Sequence, residues 1–496
     1  MLELAVKENR HLSLNHDKAP LLERLKEYSS KDIVCFDVPG HVKSNGVKIL
    51  NEYFGEHIMD MDINSSPLMD NVSGAYGIIK ESQELLADAY CCDKAFFITN
   101  GTTQAIHAMI LSTIKPNDKI ILPRNVHKSA INSLILAGGQ PIFVQPEFDE
   151  ELGISLNVSR NKAIEAVKKN KNIKAIMLLN PTYYGACTDL KAIIDFCHSR
   201  NIIVMVDEAH GAHFPFNCNF PKSAMELGAD LSAVSIHKTG GSLTQSSALL
   251  MNRGRVCEEN IQQTINMLQS TSASYLLMSS VDGARKNLMQ NGEKQLQNAI
   301  EISNYAREKL NSIKGIYIPE NIDKNTSGCF RKDPTKLCIN VRGLNLTGID
   351  VYNLLYKNYS IQVELGDMYN ILALVSIGTK KSDIDRLYNA LEDISKKYKK
   401  DITLVDIKLK PIYTTIKLSP REAYYSKKES IPLEKSMGKI AAESIMAYPP
   451  GIPIISPGEL ITDEIIEYIK TLKKNKAYMT DMSDKTLKTI LVIKEK

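Results

Sequence analysis

Between residues 94 and 252 the chain alternates short, strongly apolar runs with longer segments of helical pattern. The apolar runs include KAFFIT (94–99), KIILP (119–123), IIVMVD (202–207), LSAVSI (231–236) and SALLMN (247–252). Runs that are apolar at almost every position are typical of strands covered on both faces. Strands that alternate with helices predict an α/β domain whose sheet is mostly parallel. Ligands of such sheets bind at the carboxyl ends of the strands, so a site is expected at that edge.

The remainder of the chain predicts three further regions around this domain. Residues 1–45 form an N-terminal segment, and 46–299 form the large α/β domain. A small α+β domain is predicted for 300–398, with the strands KLCINVRG, IQVELG and ILALVSIG between two helices. The Lys-rich stretch at 396–401 indicates a solvated helix end or a linker, and a C-terminal domain is predicted for 399–496.

Composition and charge exclude several classes of function. The net charge is only +4, which does not favour nucleic acid or an anionic membrane as a partner. No apolar run approaches the ~20 residues that a membrane span needs, and the N-terminus lacks a signal-peptide pattern. The nine cysteines show no CxxC spacing, which indicates reduced thiols and a cytoplasmic location.

The segment TNGTTQ (99–104) lies between a predicted strand and a predicted helix. The backbone N–H groups at a helix start, together with the hydroxyls of Thr102 and Thr103, form an anion site suited to a phosphate group. The same residues would serve equally well as an ordinary strand-to-helix turn with a Ser/Thr cap. The segment alone does not choose between the two.

The segment MVDEAHGAH (205–213) places Asp207 at the carboxyl end of a buried strand. An unpaired carboxylate there would be costly, so Asp207 needs a cationic partner or strong hydrogen-bond donors. A structural aspartate that caps a turn is the alternative. His210 and His213 are three residues apart, but a zinc site needs about two further ligands and none is evident, so no metal is predicted.

The segment SIHKTGG (235–241) places Lys238 one strand later, beside two glycines. Lysine is rarely fully buried unless it is paired or chemically used. A phosphate cradle, an acid and a lysine, each at a strand end, match the needs of pyridoxal 5′-phosphate (PLP). Its aldehyde needs an amine for a Schiff base, its ring nitrogen needs a carboxylate to stay protonated, and its phosphate needs hydroxyls and a helix start.

The order NGTT, RNVHKS, DEAHGAH and SIHKTGGSLTQSS resembles the fold-type I PLP enzymes, and more closely the Orn/Lys/Arg decarboxylase family. DVPGH (37–41), TSASYLLMSSVDGAR (271–285) and YPPGIPIISPGE (448–459) agree, so the resemblance runs from about residue 30 to the end. It implies a fold-type I large domain, a small α+β domain and a C-terminal domain. It also implies the short form of the family, without an N-terminal receiver-like wing, and at least a homodimer because such sites are generally built from two chains.

The resemblance implies a role for each matching residue. Lys238 would form the Schiff base and Asp207 would pair with the ring nitrogen, while His127 of RNVHKS would stack on the ring. His210 would lie near the ring hydroxyl or the substrate carboxylate. The phosphate would be held by Thr102, Thr103, Ser235 and His237. Lys238 and His237 are both candidates for the acid that protonates the substrate Cα after CO₂ leaves.

The chain also departs from the family pattern. Family members commonly carry PGHKxG, whereas this chain has PGHVKSNG at 39–46. An acidic stretch that often ends in His-x-Pro is replaced by NSSPLMDNVSGAYG at 64–77, and the usual proline of TSPSY is Ala273. The first two differences fall in segments expected to border the site or a dimer partner, so they bear on substrate identity more than on the cofactor.

A long basic substrate needs an acid at the far end of its pocket, and IQVELGDMYN (361–370) offers Glu364 and Asp367. A carboxylate holds a guanidinium with two parallel hydrogen bonds, whereas an ammonium is a compact point charge. A solvated turn is the alternative for these two acids. Resemblance to biosynthetic arginine decarboxylases favours conversion of L-arginine to agmatine and CO₂ in polyamine biosynthesis, with lysine or ornithine as alternative substrates.

Two other classes stay open at this point. A different fold-type I enzyme such as an aminotransferase would hold the substrate carboxylate with an arginine, and Arg342 in the small domain is available. A non-catalytic PLP-binding regulator would need a DNA-reading module, and the sequence shows no such segment. The products, CO₂ with an amine or a keto acid, separate the first class from a decarboxylase.

Overall fold

The computed structural model describes residues 14–43, 45–66, 68–319, 327–398, 412–447 and 451–495. These residues form two compact units. The first unit contains the described residues up to 112 together with 203–296, and the second contains 113–202 together with those from 297 onward. Within the described part of the chain, no helix has both the length and the apolar character that a bilayer crossing requires.

Helices account for much of both units. The α-helices are α1 (Pro20–Ser29), α2 (Lys48–Phe54), α3 (Glu56–Met61), α4 (Ile78–Ala89), α5 (Gly101–Thr113), α6 (Lys128–Ala137), α7 (Arg160–Lys169), α8 (Leu190–His198), α9 (Ile236–Thr239), α10 (Glu258–Leu268), α11 (Tyr275–Asn311), α12 (Gly348–Tyr359), α13 (Lys381–Tyr398), α14 (Pro420–Tyr425) and α15 (Asp463–Lys474). Short 3₁₀ turns lie at Val72–Gly74, Phe214–Phe216, Arg342–Leu344 and Leu433–Lys435.

The strands are mostly short. In chain order they are β1 (Lys94–Ile98), β2 (Lys119–Pro123), β3 (Gln140–Val144), β4 (Phe148–Asp149), β5 (Ile154–Ser155), β6 (Ile173–Leu179), β7 (Ala186–Cys187), β8 (Ile203–Asp207), β9 (Leu231–Val234), β10 (Ser247–Met251), β11 (Arg331–Lys332), β12 (Lys336–Asn340), β13 (Leu365–Gly366), β14 (Asn370–Leu374), β15 (Lys428–Pro432), β16 (Ile445–Ala447), β17 (Ile452–Ile455), β18 (Met479–Thr480) and β19 (Thr489–Ile493).

The sheet strands of the first unit run in the order β1-β10-β9-β8. β8 and β9 are parallel, while β10 is antiparallel to both β9 and β1. Every residue of β8, β9 and β10 is buried, because these strands are covered on both faces as their unbroken apolar runs predict. The carboxyl ends of β1, β8 and β9 therefore meet the amino end of β10 at one edge.

The N-terminal helix α1 is held in the first unit by a buried ion pair from the TSASYLLMSSVDGAR segment. Asp282 and Arg285, both with side chains at 0% exposure, lie 2.9 Å apart. The Asp282 carboxylate accepts a hydrogen bond from the Leu21 N–H (3.0 Å) in the first turn of α1, and Arg285 donates to the carbonyls of His16 and Lys18. Asp282 thus satisfies an N–H group that a helix start leaves without a partner, and Arg285 fixes the segment before the helix.

In the second unit, β2 pairs in parallel with both β3 and β6. A separate antiparallel sheet, in the order β12-β14-β13, packs its apolar side chains with those of α11, α12 and α13 in one core. A further core joins α15 to the small sheets of the C-terminal region, β15 with β19 and β17-β16-β18. The prediction of an α/β fold with mostly parallel strands is confirmed.

Most predicted elements occur in the structure within a residue or two of their predicted ends. The segment IQVELG (361–366) is an exception, because only Leu365–Gly366 pairs as a strand. The strands predicted for KLCINVRG and ILALVSIG also end earlier than expected, at Asn340 and Leu374. Residues 399–401 of the Lys-rich stretch and 448–450 of YPPGIPIISPGE lie outside the described residues. The predicted domain boundaries, at 45/46, 299/300 and 398/399, stay predictions.

Candidate active site

Three buried hydroxyl groups meet at the polar edge of the first-unit sheet. The Thr102 Oγ1 atom lies 2.5 Å from the Ser235 Oγ atom and 3.0 Å from the Ser247 Oγ atom. Thr102 is in the first turn of α5, Ser235 follows β9, and Ser247 opens β10. Each oxygen can both donate and accept, so the three satisfy one another without water. We call Thr102, Ser235 and Ser247 the hydroxyl cluster.

The start of α5 adds backbone donors beside this cluster. Gly101 has a φ of +70°, a conformation that a residue with a side chain adopts only at a cost of about 1 kcal/mol. This glycine lets the chain turn from β1 directly into the helix, and its N–H donates to the Gln245 carbonyl at 2.9 Å. Thr103 is exposed, so its hydroxyl is accessible from solvent. A helix start with hydroxyl side chains has the chemistry of an anion site.

Asp207 ends β8 and is only 7% exposed. Its Oδ1 atom accepts a hydrogen bond from the Ala209 N–H at 3.1 Å. Burial raises the pKa of the Asp207 carboxyl above its ordinary value, while the Ala209 N–H and the charge of Lys238 act in the opposite direction. The ionised form of this acid is therefore stabilised by a cation placed at the edge of the sheet.

Lys238 lies in the short helix α9, directly after β9. The Lys238 side chain is exposed, although the strand that precedes it is buried. The Lys238 Nζ atom is 2.9 Å from the Nε2 atom of His210, which is 5% exposed. The amine is thus both reachable from solvent and held next to an imidazole that can exchange a proton with it.

His237 is half-buried, and its orientation is fixed by the backbone. Its Nδ1–H donates to the Ser246 carbonyl oxygen at 2.8 Å. Desolvation lowers the pKa of the His237 imidazole; the Ser246 carbonyl raises it and the nearby Lys238 charge lowers it further. The net effect is a lowered pKa, which favours the uncharged form of the ring.

His127 belongs to the second unit, where it caps helix α6. Its Nδ1 atom accepts from the Ser129 N–H at 3.2 Å and lies 2.8 Å from the Ser129 hydroxyl. A neutral ring capped in this way carries its proton on Nε2. The predicted stacking of His127 on a cofactor ring stays a prediction.

The two predicted substrate acids, also in the second unit, differ in what they bind. Asp367 accepts hydrogen bonds from the Tyr184 hydroxyl (2.5 Å), from the Tyr369 and Asn370 N–H groups (both 2.7 Å) and from the Asn370 amide (3.1 Å). These partners occupy both of its oxygens. Glu364 is half-buried and accepts a short hydrogen bond from the Tyr183 hydroxyl on Oε1. Its Oε2 atom makes no hydrogen bond to a described residue.

The sequence analysis missed Ser247, Tyr183 and Tyr184. Ser247 could have been found, since an antiparallel strand that follows β9 must start at the edge where β9 ends. The tyrosines, in NPTYYGACT, give no such signal, because their contacts join segments that are about 180 residues apart. Arg342, considered for an aminotransferase, has its guanidinium 4.2 Å from the Tyr369 ring centre.

The donor set of the first unit fits PLP. An exposed amine, a buried acid whose ionised form favours a cation, and a hydroxyl cluster at a helix start lie at one edge of one sheet. These are the groups that a cofactor with an aldehyde, a basic ring nitrogen and a phosphate requires. Within the described residues, no group of three His, Cys, Asp or Glu side chains is arranged to hold a metal ion.

Two family models match the sequence. Residues 19–383 match "Orn/Lys/Arg decarboxylase, major domain", and residues 407–479 match "Orn/Lys/Arg decarboxylase, C-terminal domain".

Curated relatives span almost the whole chain. An arginine decarboxylase of Bacillus subtilis is 41% identical over 485 residues, which cover 97% of this chain and 99% of the relative. An arginine decarboxylase of Halalkalibacterium halodurans is 41% identical over 97% of this chain and 98% of the relative.

Solved structures show the same fold at low sequence identity. The lysine decarboxylase LdcF of Francisella novicida superimposes with a TM-score of 0.83 at 21% identity, covering 96% of this chain and 81% of that one. A NifS-like protein aligns with a TM-score of 0.51 over 66% of this chain. The fold of the larger part of the chain is thus shared beyond the decarboxylases.

Proposed function

The chain belongs to the Orn/Lys/Arg decarboxylase family, and on that premise we propose that it uses PLP to convert L-arginine to agmatine and CO₂ in polyamine biosynthesis. The observation that carries the choice of arginine is the 41% identity to curated arginine decarboxylases along nearly the full length of both chains. The lysine decarboxylases found among the relatives are more distant, for example 23% identical for LdcA of Pseudomonas aeruginosa.

The first unit supplies the residues that would hold the cofactor. Lys238 offers the amine, Asp207 the acid for the ring nitrogen, and the hydroxyl cluster with Thr103 and the start of α5 offers the phosphate site. When bound, PLP supplies an electron sink for the pair of electrons left when CO₂ departs. His237 keeps its predicted alternatives, a phosphate contact or a proton donor.

The residues themselves hold and move protons. The buried Asp207 carboxylate would favour a proton on a ring nitrogen beside it. His210 can take a proton from the Lys238 amine across the 2.9 Å contact, which makes the amine nucleophilic, and can later return it. Lys238 is thereby equipped to protonate the substrate Cα as well.

His127 keeps its predicted ring contact in this proposal, and the cationic end of the substrate is bound by one of the two predicted acids, Glu364 or Asp367. The assembly is proposed to be at least a homodimer, and the location the cytoplasm. Lysine and ornithine are the competing substrates, because an acid that binds a guanidinium also attracts an ammonium.

The direct test is CO₂ release from L-arginine, L-lysine and L-ornithine by the purified chain with added PLP. We expect arginine to be turned over with the highest kcat/KM and agmatine to accumulate in equal amount to CO₂. The Lys238→Ala variant should keep the far-UV circular dichroism of the wild type and release no CO₂. A higher kcat/KM for lysine or ornithine would overturn the proposed substrate, and turnover by Lys238→Ala would overturn the role of the lysine.

A further inference from the structure

The NPTYYGACT segment brings two neighbouring tyrosines to the two acids of the second unit. The Tyr183 hydroxyl donates to Glu364, and the next residue, Tyr184, donates to Asp367. Adjacent side chains with the same chemical group thus serve two acids three residues apart. The other hydrogen bonds of Glu364 and Asp367 decide which of the two can bind a substrate.

The backbone on both sides of the contact is fixed. The Glu364 N–H donates to the Leu372 carbonyl at 2.9 Å, which ties the acid to β14. Both tyrosine rings pack against a small apolar core that contains Leu365 and Leu372. Gly185 follows with a φ of +91°, and a Cβ atom there would lie 2.9 Å from Lys336, so only glycine lets the tyrosine turn pack so closely.

The carboxylates of Asp367 and Glu364 differ in how many hydrogen bonds they already accept. Asp367 receives donors on both oxygens from its own turn and from Tyr184, so it is a structural acid that shapes the turn between β13 and β14. Glu364 receives Tyr183 on Oε1, which keeps a second lone pair, and among the described residues none donates a hydrogen bond to Oε2. The hydrogen bond from Tyr183 restricts rotation of the Glu364 carboxylate group and so sets the orientation of its plane.

We infer that Tyr183 is a positioning residue that orients Glu364 as the acceptor for the cationic end of the substrate, with Asp367 excluded from that role. The inference rests on the proposed function. A planar guanidinium needs a carboxylate of fixed plane to form two parallel hydrogen bonds, whereas an ammonium accepts a range of orientations. The Tyr183 hydrogen bond therefore favours arginine over the shorter ammonium substrates.

The test compares Tyr183→Phe with Tyr184→Phe, which removes the same hydroxyl from the neighbouring residue. We expect Tyr183→Phe to raise the KM for L-arginine about tenfold or more, the size expected for one hydrogen bond to a charged group, while kcat changes by less than about threefold. Tyr184→Phe should lower the melting temperature and leave the KM for L-arginine within about twofold of the wild type.

A double-mutant cycle identifies the partner through which Tyr183 acts. In the Glu364→Gln background, Tyr183→Phe should have little further effect on KM, because the hydrogen bond has lost its charged acceptor. A wild-type KM in Tyr183→Phe, or an effect that persists undiminished in Glu364→Gln, would overturn the inference. Should Tyr183→Phe fail to fold, Glu364→Gln alone decides, and an unchanged KM for arginine there rejects the subsite.

These outcomes are separable from failure of the proposed function. If the wild type turns over lysine or ornithine and not arginine, the proposed substrate is wrong, and the same variants measure the Tyr183 contact on the substrate that is used. If no basic amino acid releases CO₂, the proposed function and this inference fall together.

Discussion

The Lys238 amine and the Asp207 carboxylate lie at one edge of one sheet, where each affects the charge of the other. Burial destabilises the charged form of Asp207 and raises its pKa, and the Lys238 charge offsets part of this effect. The ionised form of Asp207 therefore lowers the stability of the folded chain, but it can stabilise a cation that binds beside it. Functional sites commonly hold groups that a stability-optimised protein would replace.

Replacing Asp207 by asparagine should separate these two effects. We expect Asp207→Asn to lower kcat for CO₂ release by about a hundredfold or more, since the electrostatic partner of the ring nitrogen is lost. Without PLP, the same variant should melt at a higher temperature than the wild type at pH 7.

The sign follows from the raised pKa of Asp207 in the folded chain. A raised pKa means that the contribution of this group to stability is fully present below the ordinary Asp range, about pH 4, and is lost as the pH rises through the folded-state value. The difference between the melting temperatures of variant and wild type should shrink towards pH 4. A wild type that is the more stable of the two at pH 7 would contradict this account.

The exposed and the buried cysteines should differ in how fast they react, with the half-buried Cys35 and Cys91 between them. Cys218 and Cys257 are exposed, whereas burial raises the pKa of the Cys92 thiol to about 12 and raises that of Cys338 as well. Because the thiolate is the reactive form, we expect Cys218 and Cys257 to react first with Ellman's reagent at pH 8. Cys92 and Cys338 should react only after unfolding. A fast phase that survives in a Cys218→Ser, Cys257→Ser double variant would show that this assignment is wrong.

Among the secondary-structure elements, a buried ion pair ties the end of β2 to the C-terminal region. The Arg124 guanidinium is 7% exposed and lies 2.9 Å from the Glu459 carboxylate, which is 1% exposed. It also donates to the carbonyls of Pro453 (2.8 Å) and Ile454 (3.1 Å) at β17. These contacts join RNVHKS to the end of YPPGIPIISPGE inside the second unit.

Breaking this pair should be costly. We expect Glu459→Ala to lower the free energy of unfolding by about 3 kcal/mol or more, because it leaves the Arg124 charge buried and uncompensated. Asp195→Ala, which removes the exposed Lys191–Asp195 pair, should cost less than about 1 kcal/mol. Urea unfolding of the two variants gives the two losses of unfolding free energy. Equal losses would show that the buried pair contributes no more to stability than the exposed one.

For the whole molecule, sequence reasoning was most successful where apolar runs are unbroken. β8 and β9 were predicted because every position is apolar or small, and the strand ends then located Asp207 and Lys238. The segment IQVELG failed as a strand because β13 pairs with β14 only at Leu365 and Gly366. Strand pairing is decided by the partner strand, which a single sequence does not reveal.

The sequence predicts where the residues of the candidate site lie along the sheet better than it predicts which side chains they contact. A strand end fixes where the backbone of Lys238 lies, but its contact with His210 depends on side-chain geometry across 28 residues. The sequence also does not show that Lys238 lies in a short helix with its side chain exposed. The tyrosine contacts of Glu364 and Asp367 depend on tertiary packing and leave no local pattern.

The hydrogen bonds among Thr102, Ser235 and Ser247 have a consequence for whether the chain folds before or after it binds its cofactor. Because these oxygens already pair with each other, folding does not need a vitamin B6 derivative to satisfy them, and the hydroxyls can rotate towards a phosphate that arrives later. We expect chains refolded in PLP-free buffer to regain full decarboxylation on late addition of the cofactor. Recovery only when PLP is present during refolding would show instead that the coenzyme templates the fold.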